Sequence, residues 1–332
     1  MTETVTAVDG WLPWHRPAAQ RLADQLAADR VPHALLLPGP EGTGKTLFGE
    51  SLARLLLCRS PQAGLIPCGS CRDCRLVTGA VHPDLVRVLP ENPDRPVIKV
   101  DQVRRLTEFL SLSSQYGGRR IALVDPADAL NTNAANSLLK TLEEPPAAVT
   151  IILITSRPGA LPATIRSRCQ IVRLPPATRA QASEWLAGHA PQAQPLLGLA
   201  NGAPLTAVRL AEEDVETLRL ALIEDLVAAA GGRLGPPEAA AHWQSTGARR
   251  VASLVQSLVT AGLRARLGKA TAPDSRFSAL FDRLSVRLLY DYLDTVTDLR
   301  RALEQPLNET LALESLFSAW IRVQSTGNEN NG

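Results

Sequence analysis

The sequence predicts an α/β fold, in which a parallel sheet with helices on both faces is followed by an all-helical region. Short, continuous apolar segments alternate with helical patterns over the first 175 residues, which is typical of parallel strands buried on both faces. A glycine-rich loop, Gly39–Thr46, separates the first of these strands from the next helix. Beyond residue 177 the sequence has helical patterns and no convincing strand.

Five apolar segments are predicted as strands because each is a short apolar run next to turn residues. The run Ile121–Val124 ends in Asp125, at the position where a parallel sheet presents a carboxylate to Mg²⁺. His82–Leu89 differs, since its apolar and polar side chains alternate. The predicted strands are, in order, Ala34–Leu37, His82–Leu89, Ile121–Val124, Val149–Ile154 and Ile171–Leu174.

Helices are predicted between these strands. Asn131–Leu142 carries apolar residues at helical spacing and is stopped by Pro145-Pro146. A helix that ends near Ser111 is expected to have Asp101 as its N-cap. The other helices predicted in this region are Pro17–Ala28, Leu47–Leu57 and Leu161–Arg168.

The segment after Pro175-Pro176 is predicted to be all helical. Its helices are separated by Gly231-Gly232 and by Gly235–Pro237, and the polar tail Gln324–Gly332 is expected to be frayed. The predicted helices are Arg179–Ala187, Pro195–Leu199, Pro204–Glu212, Val215–Ala230, Pro237–Trp243, Ala248–Leu267, Phe277–Leu303 and Thr310–Val323.

Composition excludes several classes of protein. The chain has 332 residues, of which 45% are hydrophobic and 20% charged, so it is expected to form two or three globular domains. Apolar runs stay well below the roughly 18 residues of a membrane span, and the first residues lack the features of a signal peptide. We therefore expect a cytoplasmic protein. The net charge of +2 argues neither for nor against a nucleic-acid surface.

The glycine-rich loop has the residue types that bind nucleotide phosphates. Gly39, Gly42 and Gly44 allow backbone N–H groups to turn towards phosphate oxygens, and the following helix adds the partial positive charge of its N-terminus. Lys45 is expected to reach the β- and γ-phosphates, and the hydroxyl of Thr46 to bind Mg²⁺. The pattern therefore predicts a site for ATP and Mg²⁺.

A cluster of cysteines predicts a metal site. Cys58 is followed by Cys68, Cys71 and Cys74, so the cluster contains two Cys-x-x-Cys steps. Four thiolates at this spacing suit tetrahedral Zn²⁺, and a site whose four ligands all come from the protein is structural, not catalytic. A redox Cys-x-x-Cys site is the weaker alternative, because such a site needs one pair at a helix start.

The aromatic segment Trp11–Pro17 precedes the first helix and has two possible roles. It is too aromatic for a disordered tail, so we expect it either to cover an adenine base or to pack on the core.

Four features together resemble the clamp-loader branch of the AAA+ ATPases. They are the phosphate loop, the inserted cysteine segment 58–74, the stretch Ser137–Pro146 with the sequence SLLKTLEEPP, and Ser167-Arg168-Cys169. The resemblance is strong over residues 11–210 and weak beyond them. It implies an AAA+ sheet domain over residues 1–175, a small helical lid over 176–212 and a helical collar, which holds the subunits together, over 213–332.

The resemblance also implies partners and residue roles. Loaders of this family are pentamers that open a ring-shaped sliding clamp and close it on primed DNA. The implied partners are motor subunits of the gamma/tau type, the delta subunit and, through the complex, the clamp and DNA; no membrane is involved. Arg168 of the Ser-Arg-Cys motif would act in trans on a neighbour's ATP as an arginine finger. Thr155 or Ser156 would occupy the sensor position at the end of its strand.

Two departures from the family pattern oppose hydrolysis by this chain. Motor subunits carry a catalytic Glu after the acid that Asp125 matches, whereas Pro126 follows here and has no group for proton transfer. The lid arginine of the motors is replaced by Leu205. We therefore interpret the chain as an assembly subunit with little or no ATPase activity. The alternatives are a gamma/tau-type ATPase and, more remotely, a small-molecule kinase with a phosphate loop.

Overall fold

The computed structural model of the chain describes residues 11–28, 30–62, 66–92, 96–213, 215–268, 281, 284–303, 305 and 307–329. The chain forms two compact units. The first comprises Met1–Leu197 with Gly202–Ala207, and the second comprises Gly198–Asn201 with Val208–Gly332. The three-part division predicted from the sequence stays a prediction.

The first unit is built on a five-stranded sheet in which every described strand pair is parallel. The strand order is β2-β3-β4-β1-β5, so β4 lies at the centre between β3 and β1, and the chain crosses between non-adjacent strands. The strands are β1, Ala34–Pro38; β2, Leu85–Val88; β3, Arg120–Val124; β4, Val149–Thr155; and β5, Gln170–Ile171.

Helices cover both faces of this sheet. Residues of α1 and α2 pack with one face, and residues of α4, α5 and α6 pack with the other. The helices are α1, Arg16–Ala27; α2, Lys45–Leu57; α3, Arg72–Thr78; α4, Val100–Ser111; α5, Thr132–Glu143; α6, Ala163–Arg166; α7, Arg179–His189; and α8, Pro204–Glu212, whose first residues belong to this unit.

The central strands are mostly apolar because both faces of the sheet are buried. In β4, Ile151 and Leu153 belong to one hydrophobic cluster, whereas Ile152 and Ile154 belong to the cluster on the opposite face. Successive side chains of a strand point to opposite faces, so a strand covered on both sides has apolar residues at consecutive positions and not only at alternate ones. The predicted parallel α/β fold is confirmed.

Some predicted boundaries were wrong. β5 comprises Gln170–Ile171 and not Ile171–Leu174; Val172 and Leu174 are buried in the core although they lie outside the strand. The N-cap of α4 is Lys99 and not Asp101, since the side chain of Gln102 accepts a hydrogen bond from the Lys99 N–H at 3.0 Å. Helix α3 was not predicted.

The second unit is helical and has its own core. Trp320, Tyr292 and Phe281 are buried there, and the indole N–H of Trp320 donates to the carbonyl of Leu226 at 2.9 Å. The helices among its described residues are α9, Val215–Ala230; α10, Pro236–Trp243; α11, Ala248–Arg266; α12, Val286–Ala302; and α13, Glu309–Glu329.

Two helices of this unit differ from their predicted extents. Helix α13 continues past the predicted end at Val323 into the tail that was expected to be frayed. The helix predicted from Phe277 is observed from Val286, and much of its predicted first part lies outside the described residues. Among the described residues, none of the helices combines the length and apolarity needed to span a membrane.

Candidate functional site

The phosphate loop joins β1 to α2 and has the backbone conformation that its glycines allow. Gly42 and Gly44 have φ angles of 71° and 91°, in the left-handed region that residues with a side chain rarely adopt. The N–H of Gly39 donates to the carbonyl of Thr155 at 3.2 Å, which ties the loop to the end of β4. Helix α2 begins at Lys45, so its N-terminus lies at the loop.

Lys45 is buried, and its ammonium group contacts the loop itself. Its Nζ donates to the carbonyl of Pro40 at 2.7 Å and to Oγ of Ser156 at 3.0 Å. Burial lowers the pKa of Lys45 from its ordinary value, although Asp125 and other nearby carboxylates act in the opposite direction. The lysine therefore lies within the loop and contacts Ser156 at the end of β4; its contact with nucleotide phosphates stays a prediction.

Thr46 and Asp125 form the predicted pair of magnesium ligands. The Thr46 hydroxyl donates to Oδ2 of Asp125 at 2.5 Å, because β3 ends beside the first turn of α2. Burial raises the pKa of Asp125, although the hydrogen bond from Thr46 and the positive charge of Lys45 act to lower it. A hydroxyl and a carboxylate side by side are hard oxygen ligands, so these residues fit Mg²⁺.

The nearest acid beyond Pro126 is Asp128, and its carboxylate is already held by hydrogen bonds. It accepts from Oγ1 of Thr155 at 2.6 Å, from the Ser156 N–H at 3.3 Å and from Nε of Arg157 at 2.9 Å. Burial would raise the pKa of Asp128, but the bonds from Thr155 and Arg157 outweigh it and lower the pKa. Thr155, one of the two residues predicted for the sensor position, thus donates its hydroxyl to Asp128.

The segment 202–205, in which Leu205 matches the lid arginine of the motor subunits, lies directly on the phosphate loop within the first unit. The Leu205 N–H donates to the carbonyl of Gly42 at 3.3 Å, and a Cβ atom added to Gly42 would overlap Thr206. The Leu205 side chain lies 3.3 Å from the position of a Cβ on Gly44. Leu205 therefore lies beside the loop, and its apolar side chain offers nothing to a phosphate.

The aromatic segment before α1 also packs against the loop. The indole N–H of Trp14 donates to the carbonyl of Thr43 at 2.9 Å, and Trp14 packs edge-on against Trp185 at 5.9 Å. His15 is buried beside Gly44, and burial lowers its pKa to about 4, so its ring is neutral at neutral pH. Of the two roles open from the sequence, packing on the core is the one that these contacts support.

The four cysteines come together at the junction of α2 and α3. One ligand atom from each lies within 4.8 Å of the others, and Sγ of Cys68 is 3.9 Å from Sγ of Cys74. Tetrahedral Zn–S bonds of about 2.3 Å separate the sulfurs by about 3.8 Å, so the cluster fits zinc. Backbone N–H groups of Cys71 and Ser70 lower the pKa of Cys68 to about 6, whereas burial raises the pKa of Cys58 and of Cys74. The positive charge of a bound metal would favour the thiolate form of all four.

A buried polar network connects this cluster to the sheet. Asp73 binds Nε of Arg59 at 2.7 Å and Nε2 of His82 at 3.3 Å, and Nδ1 of His82 accepts from the Asp84 N–H at 3.0 Å. The Asp84 carboxylate accepts from the hydroxyl and backbone groups of the turn before β3, namely Ser114 Oγ, Gln115 N and Tyr116 N. The sequence analysis missed this network; the only signal was a set of polar residues next to the cysteines.

Arg168 follows α6 and lies at the end of α5. Its Nη1 donates to the carbonyl of Thr164 at 2.9 Å, and its Nη2 is 2.6 Å from Oε1 of Glu143. The guanidinium side chain is 35% exposed. The next residue, Cys169, is buried in the core between α5, α6 and the sheet and anchors the backbone of the motif. The sequence analysis did not single out Glu143.

Comparisons with known proteins agree on one family. A family profile described as "DNA polymerase III, delta subunit" matches residues 14–178. The chain is 38% identical over 238 residues to DNA polymerase III subunit delta' of Pseudomonas aeruginosa, covering 70% of this chain and 71% of that protein. It is 35% identical over 315 residues to subunit delta' of Escherichia coli K12, covering 88% of this chain and 92% of that protein.

Similarity to a second kind of subunit is confined to part of the chain. Subunit tau of DNA polymerase III from E. coli K12 is 36% identical over 148 residues, which are 45% of this chain and 22% of that protein. The similarity to the delta' subunits of P. aeruginosa and E. coli therefore extends much further along this chain than the similarity to tau.

Proposed function

The chain belongs to the delta' family of DNA polymerase III subunits, and on this basis we propose that it is an assembly subunit of a bacterial clamp loader. In this proposal it joins gamma/tau-type motor subunits and a delta subunit in a cytoplasmic hetero-oligomer. The complex opens the sliding clamp and closes it on primed DNA, and the chain meets the clamp and DNA through the complex. Residues 176–212 act as the lid and 213–332 as the collar.

The residues around the phosphate loop support the proposal that the chain itself does not hydrolyse ATP. The position of the catalytic Glu is taken by Pro126, and the nearby Asp128 is held by Thr155 and Arg157. Leu205 lies beside the loop where a motor would place an arginine. The loop therefore retains groups that bind ATP and Mg²⁺, but it lacks a base to position water and a second cation.

Reconstitution from purified subunits tests the assembly role. We expect the chain to co-elute with delta and gamma/tau subunits in size-exclusion chromatography, and clamp loading on primed DNA to require the chain. Failure to form a complex, or equal clamp loading without the chain, would contradict the proposal.

We expect the isolated chain to have negligible ATPase activity, because it lacks the groups named above. Phosphate release from ATP should be at background for the wild type and for Lys45→Ala alike. Lys99→Ala, which removes an exposed lysine paired with Glu91, is a matched control. Turnover that Lys45→Ala abolishes and Lys99→Ala preserves would instead favour the gamma/tau-type ATPase, and phosphoryl transfer to a small acceptor would favour a kinase.

We also propose that the cysteine cluster holds structural zinc, and elemental analysis should find about one zinc per chain. Cys74→Ser should lose the metal because it removes a ligand. Cys169→Ala should keep it, since Cys169 lies in the core of the sheet unit. Chelation should loosen the segment without unfolding the sheet, whose core lies elsewhere. A metal-free native protein with four titratable thiols would refute the zinc site.

A further inference from the structure

We propose that Glu143 is the positioning residue of Arg168, holding its guanidinium in the orientation in which it meets the neighbour's ATP. This inference rests on the proposed function, because it gives Arg168 the role of an arginine finger. It adds a residue on a different helix, within the stretch Ser137–Pro146, whose contact with Arg168 the sequence alone did not show.

The contacts of Arg168 come from two directions. Nη1 donates to the carbonyl of Thr164 on α6, and Nη2 is 2.6 Å from Oε1 of Glu143, the last residue of α5. An arginine has many rotamers, and two contacts on different nitrogens restrict it to few of them. The guanidinium is therefore oriented before the neighbouring subunit arrives.

Both partners of this ion pair have a fixed backbone. Leu142 precedes Glu143 and is 2% exposed, and Cys169 follows Arg168 and is 9% exposed; the two belong to the same hydrophobic cluster. Pro145-Pro146 ends the helix just beyond the acid. The distance between the carboxylate and the guanidinium is thus set by the packing of α5 and α6 on the sheet.

The exposure of the pair suits a positioning role. The Arg168 side chain is 35% exposed and the Glu143 side chain 49%, so water screens the pair and its net strength is modest. A phosphate can therefore accept hydrogen bonds from the remaining N–H groups of the guanidinium at little cost in free energy. A bond of this kind changes a rate by about two- to fivefold, far less than the loss of the arginine itself.

The test is steady-state phosphate release by the reconstituted loader with clamp and primed DNA, after subtraction of the rate that remains with Arg168→Ala. We expect Glu143→Ala to lower the kcat obtained from this corrected rate about two- to fivefold. The KM for ATP should not change, because the finger acts in the transition state. Glu143→Gln should retain part of the rate, since its amide oxygen still accepts a bond. Glu144→Ala, which removes the adjacent exposed carboxylate, should match the wild type.

A double-mutant cycle separates this role from a structural one. Adding Glu143→Ala to Arg168→Ala should cause no further loss, because the acid acts only through the arginine. Three results would overturn the inference without contradicting the role of Arg168 as an arginine finger. The first is a further loss of rate in the double variant. The others are a rate for Glu143→Ala above that of the wild type, or equal to it while Arg168→Ala is slow. A wild-type rate for Arg168→Ala would overturn the finger itself, and the inference with it. Size-exclusion chromatography verifies assembly for every variant.

Discussion

Arg168→Ala should slow ATP hydrolysis at the neighbouring subunit's site about 10³-fold, the size of effect that arginine fingers typically have. The guanidinium stabilises charge that develops on the γ-phosphate, and alanine supplies no replacement for it. The variant should fold and assemble normally, because the side chain is partly exposed and the anchoring residue is Cys169. The measurement is clamp-stimulated phosphate release and clamp loading by the reconstituted complex. The total rate of phosphate release should fall by the contribution of the one ATP site that Arg168 serves.

Two further variants sharpen this prediction. Arg168→Lys should rescue poorly, since a flexible ammonium group does not reproduce the planar fork of guanidinium donors. Arg166→Ala removes an exposed arginine at the end of α6, two residues before Arg168, and should leave the rate unchanged. If Arg168→Ala hydrolyses ATP and loads clamps like the wild type, with assembly verified, Arg168 has only a structural role.

Asp84→Ala should destabilise the sheet unit by about 3–5 kcal/mol, the typical cost of removing one partner from a buried charged pair. Asp84 is 1% exposed and lies 3.7 Å from Nη2 of the buried Arg120. In the variant, the Arg120 guanidinium and the N–H groups of Gln115 and Tyr116 would lose the carboxylate that they now contact. The turn that precedes β3 would lose its main polar anchor.

Hydrogen exchange of the β3 amides is the appropriate measurement, because the chain has two compact units and a single unfolding transition is not assured. The free energy of opening should fall for β3 and remain unchanged for α11 in the second unit. Asp101→Ala is the matched control, since Asp101 is an exposed acid paired with Arg104 and should change stability by less than about 0.5 kcal/mol. Equal protection of β3 in the wild type and Asp84→Ala would contradict this account of the network.

The sequence determined the chain's local structure and the chemistry of its motifs. The parallel sheet was predictable because strands buried on both faces require continuous apolar runs, as Val149–Ile154 illustrates. The phosphate loop was predictable because left-handed backbone at Gly42 and Gly44 favours glycine. The cysteine cluster was predictable because ligand spacing is a local property, and Pro126 was visible as a departure for the same reason.

Only the tertiary structure decided which distant residues meet. Leu205 reaches the loop from more than 150 positions away in the chain, and Glu143 meets Arg168 because α5 and α6 pack on the same face of the sheet. The contact between Asp84 and the turn at Gln115 depends on β2 lying beside β3. Periodicity shows which face of an element is buried but not which partner covers it, and polar residues carry no periodic signal that identifies their partners.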